Sequence, residues 1–205
     1  MTCKKCQGRK YILVNKKWKP CDCLLDQKKI MRYQRSSIPP LFHNYTWQDF
    51  LRIYPNSANS VKVCRSVIKK VLQKQRVKFM YIRGDSNTGK QTLVSLILKE
   101  FINKNVPCKN ISLHDLIQME FNREDKDELY DIYNKYDVVC LRIGPVTKHS
   151  HARIVLEKFY TTRKNNNKYG IFTSRLKIEN NQGFYGMEMS KIINDGRRIK
   201  KIIMR

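Results

Sequence analysis

The glycine-rich segment 81–91, YIRGDSNTGKQ, carries the residues best suited to chemistry in this chain of 205 residues. It places two glycines and a lysine at the Gly-x4-Gly-Lys spacing of a phosphate-binding loop, directly after an apolar run. In such a loop the glycines let backbone N–H groups surround phosphates, the lysine contacts the β and γ oxygens, and a Ser or Thr hydroxyl ligates Mg²⁺. We therefore predict a nucleotide site formed by Gly84, Asn87, Thr88, Gly89, Lys90, Gln91 and Thr92.

Positions that hydrolysis requires carry unsuitable side chains. Gln91 stands where the loop needs a hydroxyl, and the apolar run 138–140 continues into Leu141 and Arg142 instead of carboxylates. Phosphoryl transfer depends almost wholly on positioned charge. We therefore predict a pseudo-ATPase that is not an enzyme. It can bind ATP or ADP through Lys90 and the loop amides, we do not expect Mg²⁺, and weak ATPase activity is the alternative.

Arg142 leaves two interpretations open. Its charge could neutralise phosphate and allow nucleotide to bind without metal. It could equally form an ion pair with Asp85 or Asp137 and close the pocket. The sequence does not decide between them.

Four cysteines near the N-terminus have the spacing of a metal site. Cys3-x2-Cys6 and Cys21-x-Cys23 flank the alternating segment 11–20, which predicts a hairpin carrying two cysteine knuckles. Four thiolates can hold Zn²⁺ and supply folding energy that about 30 residues cannot obtain from a core of their own. We predict a zinc ribbon, and the alternative is four free thiols in a reduced protein. The remaining cysteines, predicted to be core residues, are Cys64, Cys108 and Cys140.

The elements around these sites alternate between helix and strand. Apolar periodicity predicts a linker helix near 24–37, a helix at 58–75, a helix that starts at the phosphate loop, and helices near 113–122, 125–134, 150–165 and 185–195. Strands are predicted at 77–82, 108–112, 138–143, 169–173 and 198–203. Alternating βα units indicate an α/β fold with a mostly parallel sheet covered on both faces. The predicted domains are a zinc ribbon at 1–30, a linker and pre-core segment at 31–57, and a degenerate P-loop domain at 58–205.

The charge of the chain indicates a polyanionic partner. Lys and Arg number 42 against 17 Asp and Glu, which gives a net charge of +25. Codon bias in an AT-rich genome is the alternative, but it would not suppress the acids, so we favour nucleic acid, with DNA ahead of RNA. The predicted contacts are Lys4, Lys5, Lys16, Lys17, Lys69, Lys70, Arg197, Arg198, Lys200 and Lys201.

The sequence predicts a cytoplasmic protein without a membrane segment. It begins with MTCKKCQGRK, which has no signal-peptide pattern, and it contains no run of about 20 apolar residues.

Together these segments resemble the DnaC/DnaI-like replicative-helicase loaders and the related IstB-type transposition helpers, which are AAA+ ATPases. The resemblance is to the phage-type version with an N-terminal zinc module. It covers nearly the whole chain and rests on segments 3–23, 38–50, 84–91, 136–144, 156–176 and 184–192. It implies an additional-strand P-loop core in which 84–91 is the Walker A loop and 136–144 the Walker B strand.

The resemblance also locates the departures and suggests a role. Arg175 stands where the family's sensor Asn is expected, and Lys191 where its trans-acting Arg is expected. We expect a non-catalytic protein of DNA replication that binds a replicative helicase, a helicase loader or DNA. The zinc module would then dock protein and the core would bind single-stranded DNA. The alternatives are an inhibitor that mimics a host loader, or a structural nucleic-acid-binding subunit of a larger assembly. The protein could form an oligomer, and oligomerisation on nucleotide would favour the loader-like role over these alternatives.

Overall fold

The structure is a computed structural model that describes residues 2–75, 79–122, 125–144, 149–175 and 199–204. Its strands are β1 (Tyr11–Val14), β2 (Lys17–Pro20), β3 (Phe79–Gly84), β4 (Cys108–Ser112), β5 (Val138–Ile143), β6 (Tyr169–Ser174) and β7 (Ile199–Met204). Its α-helices are α1 (Asp22–Arg35), α2 (Trp47–Ile53), α3 (Ala58–Leu72), α4 (Lys90–Asn103), α5 (Leu113–Asn122), α6 (Lys126–Tyr130) and α7 (His149–Asn165). Short 3₁₀ turns lie at Pro40–Phe42 and Pro55–Ser57.

The five long strands form one parallel sheet in the order β4-β5-β6-β3-β7. Strand β6 lies between β3, which leads into the phosphate loop, and β5, the predicted Walker B strand. The predicted P-loop core of the additional-strand type is therefore confirmed. The predicted helix near 125–134 is divided into α6 and a π-helical turn at Asp131–Lys135. The predicted helix near 185–195 lies outside the described residues.

Alternate strand residues bury against different helices on the two faces of the sheet, as a period of two requires. Met80 and Ile82 pack in a core with α1, α2, α3 and α4. Phe79 and Tyr81 pack in the opposite core with α5 and α7. The sheet is thus covered on both faces, which explains the nearly continuous apolar runs of its strands. The three cysteines predicted to be core residues are buried.

The segment between α1 and α3 lies against α4 and is held there by polar contacts. Lys99 of α4 donates to the backbone carbonyls of Phe42 and Tyr45 at 2.8 and 2.6 Å. The indole of Trp47 donates to Glu100 at 2.8 Å. Thr46 caps α2 through a capping box, which is worth about 1 kcal/mol. These contacts hold the start of α2 beside the C-terminal part of α4.

Arg163 ties together the amino ends of β5 and β6. Its guanidinium is fully buried and donates to four backbone carbonyls at 2.6–3.1 Å, those of Ile132, Tyr136, Asp137 and Tyr169. Burial lowers its pKa. This side chain acts as a clamp because its one guanidinium joins carbonyls of the segment before β5 to the first residue of β6, where a buried acceptor needs a partner.

The N-terminal hairpin pairs β1 with β2 in antiparallel register. Asn15 and Lys16 between them have φ values of 50° and 60°, as the two central residues of a type I′ turn require. Helix α1 follows and runs through residue 30, where the sequence predicts a domain boundary. Across the described residues no helix is long and apolar enough to cross a membrane.

Candidate nucleotide and metal sites

The backbone of the phosphate loop is packed so closely that its two glycine positions have no room for a side chain. Gly84 ends β3, and Gly89 has a φ of 80° before α4 begins at Lys90. A Cβ added at Gly84 would lie 2.5 Å from the Thr88 hydroxyl and 2.8 Å from Met204. The loop therefore needs glycine at both positions, which agrees with the prediction from spacing.

Lys90 is half-buried and points back into the loop. Its ammonium donates to the carbonyl of Asp85, and the hydroxyl of Thr88 donates to the same carbonyl at 2.9 Å. Burial and the nearby Arg175 together lower the pKa of Lys90. The first backbone N–H groups of α4 face this loop and favour an anion there. The ammonium of Lys90 lies within the same loop.

Tyr54, at the C-terminal end of α2, packs on the loop. Its ring would lie 2.7 Å from a Cβ at Gly89, and its hydroxyl donates to the carbonyl of Asn87 at 3.4 Å. Sequence reasoning did not find this contact, because more than 30 positions separate the tyrosine from the loop. The only available signal was the aromatic cluster of the pre-core segment.

Arg175 brings a second cation to the loop. It follows β6, and its guanidinium donates to the hydroxyl of Ser86 at 2.9 Å. The carboxyl ends of β6 and β3 are neighbours in the sheet, so a residue just past one strand reaches the loop that follows the other. From the sequence, Arg175 was interpreted as a replacement of the sensor Asn. In the structure, its side chain forms part of the wall of the phosphate loop.

The tip of β5 carries no carboxylate. Leu141 is fully buried in the core beneath α5 and α7. Arg142 points to the opposite face, the one covered by α4, and its Nε is buried without a hydrogen-bond partner among the described residues. In that same part of the chain Arg142 forms no ion pair with Asp85 or with Asp137, which pairs instead with Lys168 at 2.6 Å. The ion-pair interpretation of Arg142 is therefore wrong.

The two residues after Lys90 face different surroundings. Gln91 is exposed in the first turn of α4, while Thr92 is buried there. Neither places a hydroxyl at the loop mouth in the way a Mg²⁺ ligand requires.

The four N-terminal cysteines converge on one point. All four sulphur atoms lie within 4.8 Å of one another, with Cys3 to Cys21 at 3.9 Å and Cys6 to Cys23 at 3.4 Å. A tetrahedral Zn²⁺ with bonds of about 2.3 Å needs sulphur atoms roughly 3.8 Å apart. The cluster can therefore bind a metal such as zinc.

Only the first cysteine pair lies in a knuckle, which corrects the prediction of two. There the backbone N–H of Gln7 donates to the carbonyl of Cys3 at 2.8 Å, and N–H groups of Cys6 and Lys5 lower the pKa of the Cys3 thiol to about 7. The second pair opens α1, with Cys21 as its N-cap. The two pairs thus reach the same point from different backbone arrangements, and their sulphur atoms lie close enough together to hold one metal.

The predicted basic contacts fall into two groups. Lys4, Lys5, Lys16 and Lys17 are exposed around the cysteine hairpin, where Lys5 pairs with Asp22 at 2.6 Å. The second group is exposed at the end of α3 and on β7, which pack together, and consists of Lys69, Lys70, Lys200 and Lys201. Arg197, Arg198 and Lys191 lie outside the described residues.

Solved structures of replication proteins share this fold. A candidate primosome component from Streptococcus pyogenes serotype M3 is 16% identical, with a TM-score of 0.63 over 87% of this chain and 97% of its own. The DnaC helicase loader is 17% identical, with a TM-score of 0.55 over 68% and 86%. AMPPCP-bound DnaA from Aquifex aeolicus is 16% identical, with a TM-score of 0.60 over 82% of this chain and only 51% of its own, so the chain spans about half of that structure.

No family model matches the sequence, and no curated protein was found to be similar to it. At 16–17% identity the three structures establish the fold. The expected likeness to helicase loaders of the AAA+ class is confirmed at that level.

Proposed function

We propose that this chain is a non-catalytic protein of DNA replication that binds nucleotide phosphates without hydrolysing them. The fold supports this proposal, because the structures similar to it include the DnaC helicase loader and the DnaA protein bound to AMPPCP. Its partners would be a replicative helicase or helicase loader and DNA. One solved structure with this fold is a replication initiator bound to single-stranded DNA.

The observation that carries the proposal is that cationic groups lie around the loop, one of them where a carboxylate is expected. Lys90 and Arg175 both reach it, and Arg142 replaces a carboxylate at the tip of β5. A guanidinium there repels Mg²⁺ and cannot polarise water, so hydrolysis lacks its metal and its base. The same charge compensates phosphate directly, since arginine is permanently charged and donates in a fixed fork.

Tyr54 supports a nucleotide, rather than inorganic phosphate alone, as the ligand. It places a half-buried aromatic ring beside Gly89. An aromatic ring next to a phosphate loop can pack against a nucleoside, as base-stacking residues do.

The cysteine cluster would hold one structural Zn²⁺ through Cys3, Cys6, Cys21 and Cys23. Its role would be to fold the hairpin. Apart from the two half-buried residues Ile12 and Val14, the strands of that hairpin are exposed.

Nucleotide binding and turnover test the proposal together. We expect fluorescent ATP and ADP analogues to bind the zinc-loaded protein with the same Kd in buffer with Mg²⁺ and in Mg²⁺-free buffer without chelator, with no ATP turnover, with or without DNA. Lys90→Ala should abolish this binding. Lys104→Ala, which removes an exposed lysine at the other end of α4, should leave the Kd unchanged.

The role of Arg142 is tested by reversing the charge of its side chain. Arg142→Asp should weaken binding in Mg²⁺-free buffer by about tenfold or more and restore a dependence on Mg²⁺. ATP turnover near 1 per second that Lys90→Ala removes would contradict the non-catalytic assignment.

Copurification of a replicative helicase with the tagged protein from its native cell would support the partner assignment. Its repeated absence would count against it.

A further inference from the structure

One face of the N-terminal hairpin is an exposed apolar ridge, defined by Tyr11, Leu13 and Trp18. Leu13 pairs directly with Trp18, and Tyr11 with Pro20, so all these side chains share a face. Tyr11, Leu13 and Trp18 are 48%, 60% and 65% exposed. The opposite face is the more protected one, since Ile12 and Val14 are half-buried. The ridge therefore contributes little to the hairpin's own packing.

The contrast between the two tryptophans of the chain underlines this point. Trp47 is only 8% exposed and its indole N–H is bonded to Glu100. Trp18 lies at the surface, where a large aromatic ring is costly to leave in water. Its position indicates that something else covers it.

The surroundings of the ridge are entirely cationic. Residues 2–21 contain no acid, and the nearest one in sequence, Asp22, is paired with Lys5. The exposed cations of the hairpin are Arg9, Lys10, Lys16, Lys17 and Lys19, of which Lys17 and Lys19 pair with Val14 and Ile12 and so lie on the face opposite the ridge. The part of the chain that the structure describes offers none of these five an ion pair.

We propose that the ridge is a stacking platform for single-stranded nucleic acid. Sites of this kind combine aromatic rings that stack on bases with a basic surface that follows the phosphates. A protein partner fits less well, because lysine is depleted from protein interfaces and four of the five exposed cations of the hairpin are lysines. The proposal differs from the expectation that the zinc module docks protein, and it goes beyond the proposed function.

The hairpin spaces its two rings suitably for separate bases. Tyr11 and Trp18 are diagonal neighbours across the strand pair, which places such residues about 7–8 Å apart. Each ring can then stack on a different base, while the I′ turn carries Lys16 at the end of the hairpin.

Tryptophan fluorescence of the full, zinc-loaded chain tests the proposal. The probe is a 12-nucleotide oligo-dT titrated at three salt concentrations. We expect quenching of the exposed Trp18, because a stacked base contacts its indole directly. The buried Trp47 should not respond, so Trp18→Phe should bind but give no quenching.

Substitutions separate stacking from charge. Trp18→Ala should raise the Kd for oligo-dT about tenfold and leave the salt dependence unchanged, whereas Trp18→Phe should stay near wild type. Lys10→Ala with Lys16→Ala should lower the slope of log K against log salt by about 0.7 for each phosphate that the protein no longer neutralises. Leu41→Ala, which removes another exposed apolar side chain, is the matched control. Retained zinc in each variant verifies that the hairpin is folded.

An unchanged Kd in Trp18→Ala, together with no quenching in the wild type, would overturn the proposal. Loss of binding to an acidic protein by the same variant, with oligo-dT binding intact, would assign the ridge to protein docking and would overturn it equally.

Discussion

The cysteine cluster and the phosphate loop are two candidate sites built on opposite principles. In the cluster, four side chains converge, and the hairpin around them has little buried surface. In the loop, the geometry belongs to the backbone and rests on β3, a strand buried at five of its six positions. We expect the first site to need its ligand in order to fold, whereas packing alone forms the second. Changes of side chain can therefore remove chemistry from the loop while leaving its shape intact.

Removal of the metal should give the largest difference between the two sites. A zinc site of this type is worth about 10 kcal/mol or more of folding free energy. We expect chelation to abolish hydrogen-exchange protection in β1 and β2, while β3 and β5 stay protected. Cys21→Ser should behave like the chelated protein, and Cys64→Ala, which alters a buried thiol in the sheet core, should keep its zinc. Folded protein with less than about half an equivalent of zinc would contradict the four-thiolate site.

Removing the clamp at the amino ends of β5 and β6 should give the next largest effect. Arg163→Leu removes the side-chain donor of the four carbonyls, of which that of Asp137 keeps the N–H of Tyr169 at 2.8 Å. We expect a loss of about 3 kcal/mol in the free energy of unfolding, measured with urea, and no change at the hairpin. Arg153→Leu, on an exposed face of the same helix, should change stability by under about 0.5 kcal/mol. Equal effects of the two substitutions would show that the clamp is not needed.

A methyl group in the phosphate loop tests whether its backbone is really fixed by packing. Gly89 combines a φ of 80° with a tyrosine ring 2.7 Å from the new Cβ, so Gly89→Ala should cost about 1–3 kcal/mol and weaken nucleotide binding. Gly144 has nothing within 4 Å of an added Cβ, and Gly144→Ala is the control. If both variants bound nucleotide as the wild type does, the loop would be more adaptable than its packing indicates.

The smallest effect should appear as a dependence of stability on pH. Burial, and secondarily Lys29, lowers the pKa of Lys99 from 10.5 to about 8. The unfolded chain then holds more protons between these values, so this group makes stability rise with pH across that window, by at most about 1.4 kcal/mol per pH unit. Lys99→Met should flatten the rise in urea midpoint between pH 8 and 10 relative to wild type. Exposed Lys104→Met should not, and an unchanged slope in Lys99→Met would refute the assignment.

Features that are local in sequence could be predicted, and features that depend on distant pairing could not. The glycines and lysine of the loop, the four cysteines and the alternation of elements all lie within short segments, so their spacing was enough. Arg163 occupies an amphipathic helix, where the pattern does not distinguish a buried cation from a solvated one. The packing of Tyr54 on Gly89 and the reach of Arg175 to Ser86 require the sheet order, which no single segment contains.

Helix α1 is a physical link between the N-terminal hairpin and helix α4. It begins at a cysteine of the cluster and continues for 14 residues, a rod of about 21 Å. At its far end Tyr33 and Arg32 are bonded to Asn103 and Asn105, at and just beyond the C-terminus of α4. Because α4 starts at the phosphate loop, α1 connects the cysteine cluster to the far end of the helix whose N-terminus faces that loop.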